Sequence, residues 1–194
     1  MKKKEYKESY ASKVSKEKRD KKRADKIWII IIIIMAFFIS LAFSFLGETL
    51  IPNIPSLIGI LLVIFFIMLG IVFDMIGIAV TVADEKAFNS MATKKVKGST
   101  LAIKFVRNAD RVSSFCNDVI GDICGIISGS TGIAIGFNIA NSLNLNVLLV
   151  NLIITACIAS FTIGGKAIGK SFAMNRSNLI LFRFARFVSF FYSV

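Results

Sequence analysis

Three aspartates lie in or beside segments of the chain that are otherwise apolar. Asp74 is the single charged residue between positions 54 and 83, and Asp118 and Asp122 lie near the start of a later apolar segment. An ionised carboxylate in hydrocarbon is costly, so such residues usually pair with a cation, face a cavity or mark an ion path. Carboxylate oxygens are also the ligands that hard cations prefer. The sequence therefore makes the three aspartates candidate ligands of a metal cation.

A second interpretation of the later pair stays open. Asp118 and Asp122 are four residues apart and share one face of a helix. They would then lie at the membrane interface, where water solvates them or where they pair with a basic side chain, namely Arg111, Lys166 or Lys170. Asp74 lies deeper in its segment, and a metal site or an ion path explains it better than solvation does.

Enzyme chemistry finds little support in the sequence. Residues 164–171, GGKAIGKS, match the phosphate-loop pattern, but that loop needs a preceding strand and an α/β domain around it. An apolar segment precedes them instead, so we expect a flexible, basic helix end. The chain has no histidine and has three cysteines without CxxC spacing, which disfavours a disulfide framework or a zinc site. We expect that the protein is not an enzyme.

The candidate site residues lie in or beside long apolar segments. Residues 28–46 and 147–165 contain no charge, and about 20 apolar residues suffice for a helix to cross a bilayer. A signal peptide is an alternative for the first segment, but no small-residue cleavage site follows it. We predict an all-α membrane protein with four transmembrane helices, at about residues 27–46, 55–82, 112–140 and 147–163.

The distribution of basic residues predicts how the helices are oriented in the membrane. All 24 Lys and Arg lie in residues 1–26, 86–111 and 166–186, and the net charge is +12. Basic segments resist translocation across the membrane. We therefore predict a multi-pass protein of the cell membrane with both termini in the cytoplasm. The lysine-rich tail, residues 1–26, is expected to meet the anionic surface of the lipid bilayer rather than nucleic acid.

Two cytoplasmic segments are predicted to form amphipathic juxtamembrane helices. Loop 84–111 carries apolar residues at helical spacing on both sides of a turn at residues 97–99, and residues 171–194 combine aromatic side chains with arginines. Such helices lie in the membrane interface. The third span carries glycines at four-residue spacing, from Gly121 to Gly129, and such a stripe favours close helix packing.

Three short motifs resemble the membrane domain of the CorB/CorC (CNNM-like) magnesium transporter family. They are VFDMIGIA at 72–79, VRNADR at 106–111 and GKAIGKSFA at 165–173. Their order and spacing agree with the family over about residues 55–194. The helix at 27–46 would be an addition, and the family's soluble CBS-domain pair has no counterpart in the sequence.

The resemblance implies a homodimeric, Mg²⁺-handling domain with a cytoplasm-facing cation site between helices. Asn117 or Asp122 would correspond to asparagines of the family's middle span, and Asp74 replaces a serine and restores an oxygen ligand. The departures are Gly77 in place of a glutamate and Lys166 in place of an acid.

Lys166 and Lys170 are the residues that we expect to modulate the site. A lysine beside a divalent cation repels it by several kcal/mol at low effective dielectric. Two hypotheses follow: transport or sensing of Mg²⁺ as substrate, or a non-transporting scaffold or partner subunit in which Lys166 neutralises the aspartates. Regulation would require a separate cytoplasmic chain.

Overall fold

A computed structural model describes residues 27–42, 45 and 55–191 of the chain. The chain divides into two compact units, Met1–Ile39 and Ser40–Val194. The first unit contains most of helix α1, Ile27–Ala42, which is apolar but shorter than the other candidate spans. The basic tail and the end of the predicted first span lie outside the described residues. A fourth transmembrane helix therefore stays a prediction.

The second unit is helical wherever the structure describes secondary structure. Its helices are α2 (Ser56–Val82), α3 (Glu85–Thr93), α4 (Ser99–Arg107), α5 (Ala109–Ser114), a π-helix (Phe115–Gly121), α6 (Asp122–Ser142), α7 (Val147–Asn175) and α8 (Ser177–Phe191). The helix α5, the π-helix and α6 follow one another without a break and form one rod, Ala109–Ser142.

Three of these elements are long and apolar enough to cross a membrane. They are α2 with 27 residues, the rod with 34 and α7 with 29. At 1.5 Å per residue even the shortest measures about 40 Å, which exceeds a hydrocarbon core of about 30 Å. The described part of the chain is thus an all-helical protein with three candidate membrane spans, at the positions predicted from hydropathy.

The last predicted span, residues 147–163, forms the first part of a longer helix, and the position at which the chain leaves the membrane stays a prediction. Helix α7 continues to Asn175 and includes the whole glycine- and lysine-containing run 164–171. An added Cβ at Gly165 would overlap Ile71 of α2, and one at Gly169 would lie 2.9 Å from Cγ of Met75. These glycines therefore let α7 approach α2 closely, as small residues do between membrane helices. The expected flexible helix end is a packed helix.

A compact core surrounds the C-terminal end of α2. It joins apolar side chains of five elements: Ile76, Val80, Phe88, Ala102, Cys116, Leu181 and Ala185. Asp84 begins α3, because its side chain accepts a hydrogen bond from the N–H of Lys86 at 2.9 Å. Its own N–H donates to Oδ1 of Asn178, also at 2.9 Å. This hydrogen bond ties the start of α3 to α8.

Two short helices, α3 and α4, lie within residues 84–111, and their amphipathic placement beside the membrane stays a prediction. The C-terminal helix begins at Ser177 rather than at residue 171. Arg176, with φ −128° and ψ 31°, separates α7 from α8. On α8, Leu181 and Ala185 are fully buried in the protein core, whereas Phe187 and Phe190 are exposed. The buried face of α8 packs on protein, and the placement of its other face in a membrane interface stays a prediction.

Candidate functional site

The π-helix brings a polar side chain against α2. Its seven residues, Phe115–Gly121, contain Asn117, and the side chain of Asn117 lies where an added Cβ on Gly77 would be. Single π turns inside α-helices are often found at functional sites. Any residue larger than glycine at position 77 would therefore collide with this asparagine.

The amide of Asn117 is only partly satisfied. Its Nδ2 atom donates to Oγ of Ser113 at 3.4 Å. Its Oδ1 atom is buried and has no hydrogen-bond partner among the described residues. Buried polar atoms normally have a partner, whereas this oxygen lies against Gly77, whose Cα–H is a weak donor. The oxygen is an available acceptor inside the helix bundle.

An ion pair joins α2 to α7 in the same region. Nζ of Lys166 lies 3.9 Å from Oδ1 of Asp74, and the protein leaves 30% of the lysine side chain and 16% of the aspartate side chain uncovered. Hydrogen bonds of this kind measure about 2.7–3.2 Å. The two groups are therefore paired by charge without a direct hydrogen bond.

The ion pair and the asparagine belong to one polar cluster, formed by Asp74, Gly77, Asn117, Gly121 and Lys166. On α2, Asp74 precedes Gly77 by three residues, and on the π-helix Gly121 follows Asn117 by four. The two residues of each pair therefore lie about one turn apart on the same face of their helix. An added Cβ at Gly121 would lie 3.6 Å from Nζ of Lys166. The ammonium group of Lys166 therefore lies close to both Asp74 of α2 and Gly121 of the π-helix.

The cluster lies inside the candidate spans. Asp74 precedes the end of α2 at Val82 by eight residues, and Lys166 precedes the end of α7 at Asn175 by nine. At 1.5 Å per residue the two charges are about 12–14 Å from these helix ends. Both charges therefore belong to helices long enough to cross a membrane, and an unpaired charge inside a membrane span would be expensive.

The remaining predicted site residues lie elsewhere. The side chains of Asp118, Asp122 and Lys170 are exposed. Within the described residues, no three side chains of His, Cys, Asp or Glu are close enough together to hold a metal ion. A cation at the polar cluster would thus depend on Asp74, on the amide oxygen of Asn117 and on backbone carbonyls.

Sequence reasoning did not identify Gly77, Gly121 or Ser113 as parts of the site. Gly77 appeared only as the replacement for a glutamate, and Gly121 only as one member of a glycine stripe. The missing signal was the π-helix, because it decides which residues of the rod face α2. A polar residue on one helix that faces a small residue on another could indicate such a site. The sequence does not show which helices are neighbours, so this clue cannot be used before the packing is known.

A similar contact without charge lies at the other end of the bundle. Oδ1 of Asn151, on α7, is buried and has no hydrogen-bond partner in the described part of the chain. It occupies the space that a Cβ on Gly136 of α6 would need, and Ile154 and Ile158 of α7 lie beside Gly136 and Gly132. Neither of the ion pairs in the described part of the chain, Arg107–Glu85 and Lys166–Asp74, includes a residue of this contact.

The chemistry available to the polar cluster follows from its charges. Asp74 and Lys166 cancel, so the cluster holds no net negative charge that would attract a divalent cation. The ammonium group itself is a tethered cation with three donors, placed beside the carboxylate and the glycine face of the π-helix. Comparison of the chain with models of protein families, with curated proteins and with solved structures found no match.

Proposed function

We propose that the chain is an integral membrane scaffold or partner subunit that does not transport ions, and that Lys166 takes the place of a bound cation in it. The ion pair between Lys166 and Asp74, at 3.9 Å, carries the proposal. The resemblance to the CorB/CorC membrane domain supports a cation site at this position in an ancestral form. The lysine at position 166, in place of the family's acidic residue, then accounts for the loss of the cation site.

Electrostatics favours this proposal over ion transport. A unit charge 4 Å from another of the same sign costs about 4 kcal/mol at an effective dielectric constant of about 20, and a divalent cation doubles that cost. Mg²⁺ near Asp74 would meet this repulsion from Lys166 and would also have to shed water, which it does reluctantly. One carboxylate that is already neutralised offers little compensation.

Mg²⁺ transport or sensing is the second candidate function. The buried, unpartnered Oδ1 of Asn117 favours it, because that oxygen is a suitable ligand for a hard cation and lies against Gly77, one turn along α2 from Asp74. In this alternative, Lys166 moves away before the ion binds. The resemblance supports a homodimer for either function, and the distribution of basic residues supports a cell-membrane protein with both termini in the cytoplasm. A regulator would be a separate cytoplasmic chain.

Flux measurements separate the two functions. The full chain is reconstituted in liposomes that contain a fluorescent Mg²⁺ indicator, beside the variants Asp74→Asn and Lys166→Met. We expect the wild type to show the same flux as empty liposomes and no shift of its melting temperature with Mg²⁺. Flux in the wild type that Asp74→Asn abolishes would overturn the proposal and establish the second candidate.

A matched variant tests the specific role of the lysine. Lys170→Met removes the same charge from the same helix, but the side chain of Lys170 is exposed. If Lys166 stands in for a cation, Lys166→Met gains a Mg²⁺-dependent rise in melting temperature and Lys170→Met does not. An equal response of the two variants would count against the proposal.

A further inference from the structure

A cationic pocket lies outside the polar cluster, at the turn between α3 and α4. It has a volume of about 320 Å³, and its lining includes Lys95, Lys97, Gly98, Thr100, Lys104 and Ser189. No carboxylate lines it. Among the residues that the structure describes, its three lysines form no ion pair. The pocket therefore combines three positive charges with hydroxyl groups and has no internal counter-charge.

The backbone adds hydrogen-bond donors to this charge. Gly98 begins α4 with φ +89°, and no side chain caps the helix. The N–H of Ser99 donates to Val96 and that of Ala102 to Gly98. The N–H groups of Thr100 and Leu101 have no acceptor in the described part of the chain. Free N–H groups in a first helical turn favour a bound anion.

Contacts with α8 hold the pocket in shape. An added Cβ at Gly98 would lie 2.9 Å from Cα of Arg186, so the turn packs directly against α8. Ser99 is buried, and its Oγ donates to the carbonyl oxygen of Val96 at 2.6 Å. Ser189 of α8 completes one wall. The pocket is thus formed by packed elements rather than by the turn alone.

We infer that this pocket binds the phosphate group of an anionic membrane lipid. Lysines, hydroxyls and backbone N–H groups are the donors that bind phosphate. Helix α3 begins three residues after α2 ends, so the pocket belongs to the segment that directly follows a candidate membrane span. Basic pockets beside membrane helices bind lipid head groups. This inference does not depend on whether the polar cluster binds a cation.

Lipid titrations of the full chain in neutral detergent test the inference. The melting temperature is followed against dihexanoyl phosphatidylglycerol, against dihexanoyl phosphatidylcholine, which has the same acyl chains, and against inorganic phosphate. We expect the anionic lipid alone to stabilise the wild type. Equal effects of the two lipids, or stabilisation by inorganic phosphate without any by phosphatidylglycerol, would overturn the inference.

Two pocket variants locate the effect. In Lys97→Gln/Lys104→Gln we expect the affinity for phosphatidylglycerol to fall about 30-fold, since a lysine near an anionic surface contributes about fivefold. The control Lys86→Gln/Arg183→Gln removes two exposed charges elsewhere and should keep the wild-type affinity. Equal losses in the two double variants would refute a specific pocket.

Thr100→Glu separates binding from folding. A glutamate in the first turn of α4 favours the helix through its dipole, yet it places a negative charge at the pocket. We expect an unchanged or higher melting temperature without lipid and a loss of the phosphatidylglycerol effect. An unaltered lipid response in this variant would contradict the inference, whatever the behaviour of the lysine variants.

Discussion

The bundle formed by α2, the rod and α7 has an asparagine–glycine contact near each of its two ends, and the charges around the two contacts differ. At each end an asparagine of one helix directs a buried, unpartnered oxygen at a glycine of the next helix, Asn117 at Gly77 and Asn151 at Gly136. Only the first contact has charged neighbours, because Asp74 and Lys166 lie beside it. The asparagine–glycine contact therefore occurs with and without nearby charges, so packing of this contact does not by itself explain the ion pair.

The largest difference between the ends should come from the lysine. Lys166→Met leaves Asp74 without its counter-charge inside a candidate span, which we expect to lower the free energy of unfolding by about 3 kcal/mol. Ile158→Met, at the other end of α7, conserves volume and should cost less than about 1.5 kcal/mol. Denaturant unfolding in mild detergent, followed by circular dichroism, measures both.

A double variant completes this test. Asp74→Asn/Lys166→Met removes both charges and should recover most of the lost stability, because no unpaired ion remains. Stability losses of equal size in Lys166→Met and Ile158→Met would show that the charges make no difference between the two ends.

The glycine substitutions should have similar effects at both ends. Gly77→Ala and Gly136→Ala each place a methyl group against an asparagine side chain, and overpacking of this kind costs about 1–3 kcal/mol. A second substitution, Asn117→Ala or Asn151→Ala respectively, makes room for the methyl and should restore part of the loss. Thermal melts of the single and double variants measure this coupling.

Gly125 provides the control for these substitutions. Among the described residues, no atom beyond its chain neighbours and the backbone of its own helix lies within 4 Å of an added Cβ at this position. Gly125→Ala should therefore gain up to about 1 kcal/mol from its better helix propensity. A similar loss at all three glycines would show that flexibility of the rod, rather than contact with asparagine, explains the effects.

The smallest effects should come from the asparagines alone. Asn151→Ala removes only a weak contact with a Cα–H group, worth about 0.5–1 kcal/mol. Asn117→Ala also removes the long hydrogen bond to Ser113, so we expect it to cost slightly more. Melting temperatures measured in parallel test this order, and a larger loss for Asn151→Ala would reverse the comparison.

Hydropathy predicted the candidate spans well and the site poorly. The three long helices could be located because an uninterrupted apolar stretch has few other uses. The end of α7 could not be located, because Lys166, Lys170 and three nearby glycines look like a helix end in one dimension. They are helical because Gly165 and Gly169 pack on α2, a contact that only the folded chain reveals.

The site residues illustrate the same limit. Asp74 and Lys166 are visible as polar residues in apolar segments, but 92 positions separate them and no periodicity pairs them. Asp118 and Asp122 carry the same chemical signal as Asp74, yet their side chains are exposed. Residue type indicates what a side chain could do, whereas the packing of α2, α7 and the π-helix decides which side chains meet.

The π-helix also sets the register of everything that follows it. A π turn holds more residues than an α turn, so if Phe115–Gly121 wound as an ordinary α-helix instead, α6 would turn by roughly 100° about its axis. Gly132 and Gly136 would then turn away from α7, and the Asn151–Gly136 contact would be lost although it lies several turns away. The winding of the π-helix at one end of the rod thus determines which residues of α6 face α7 at the other end.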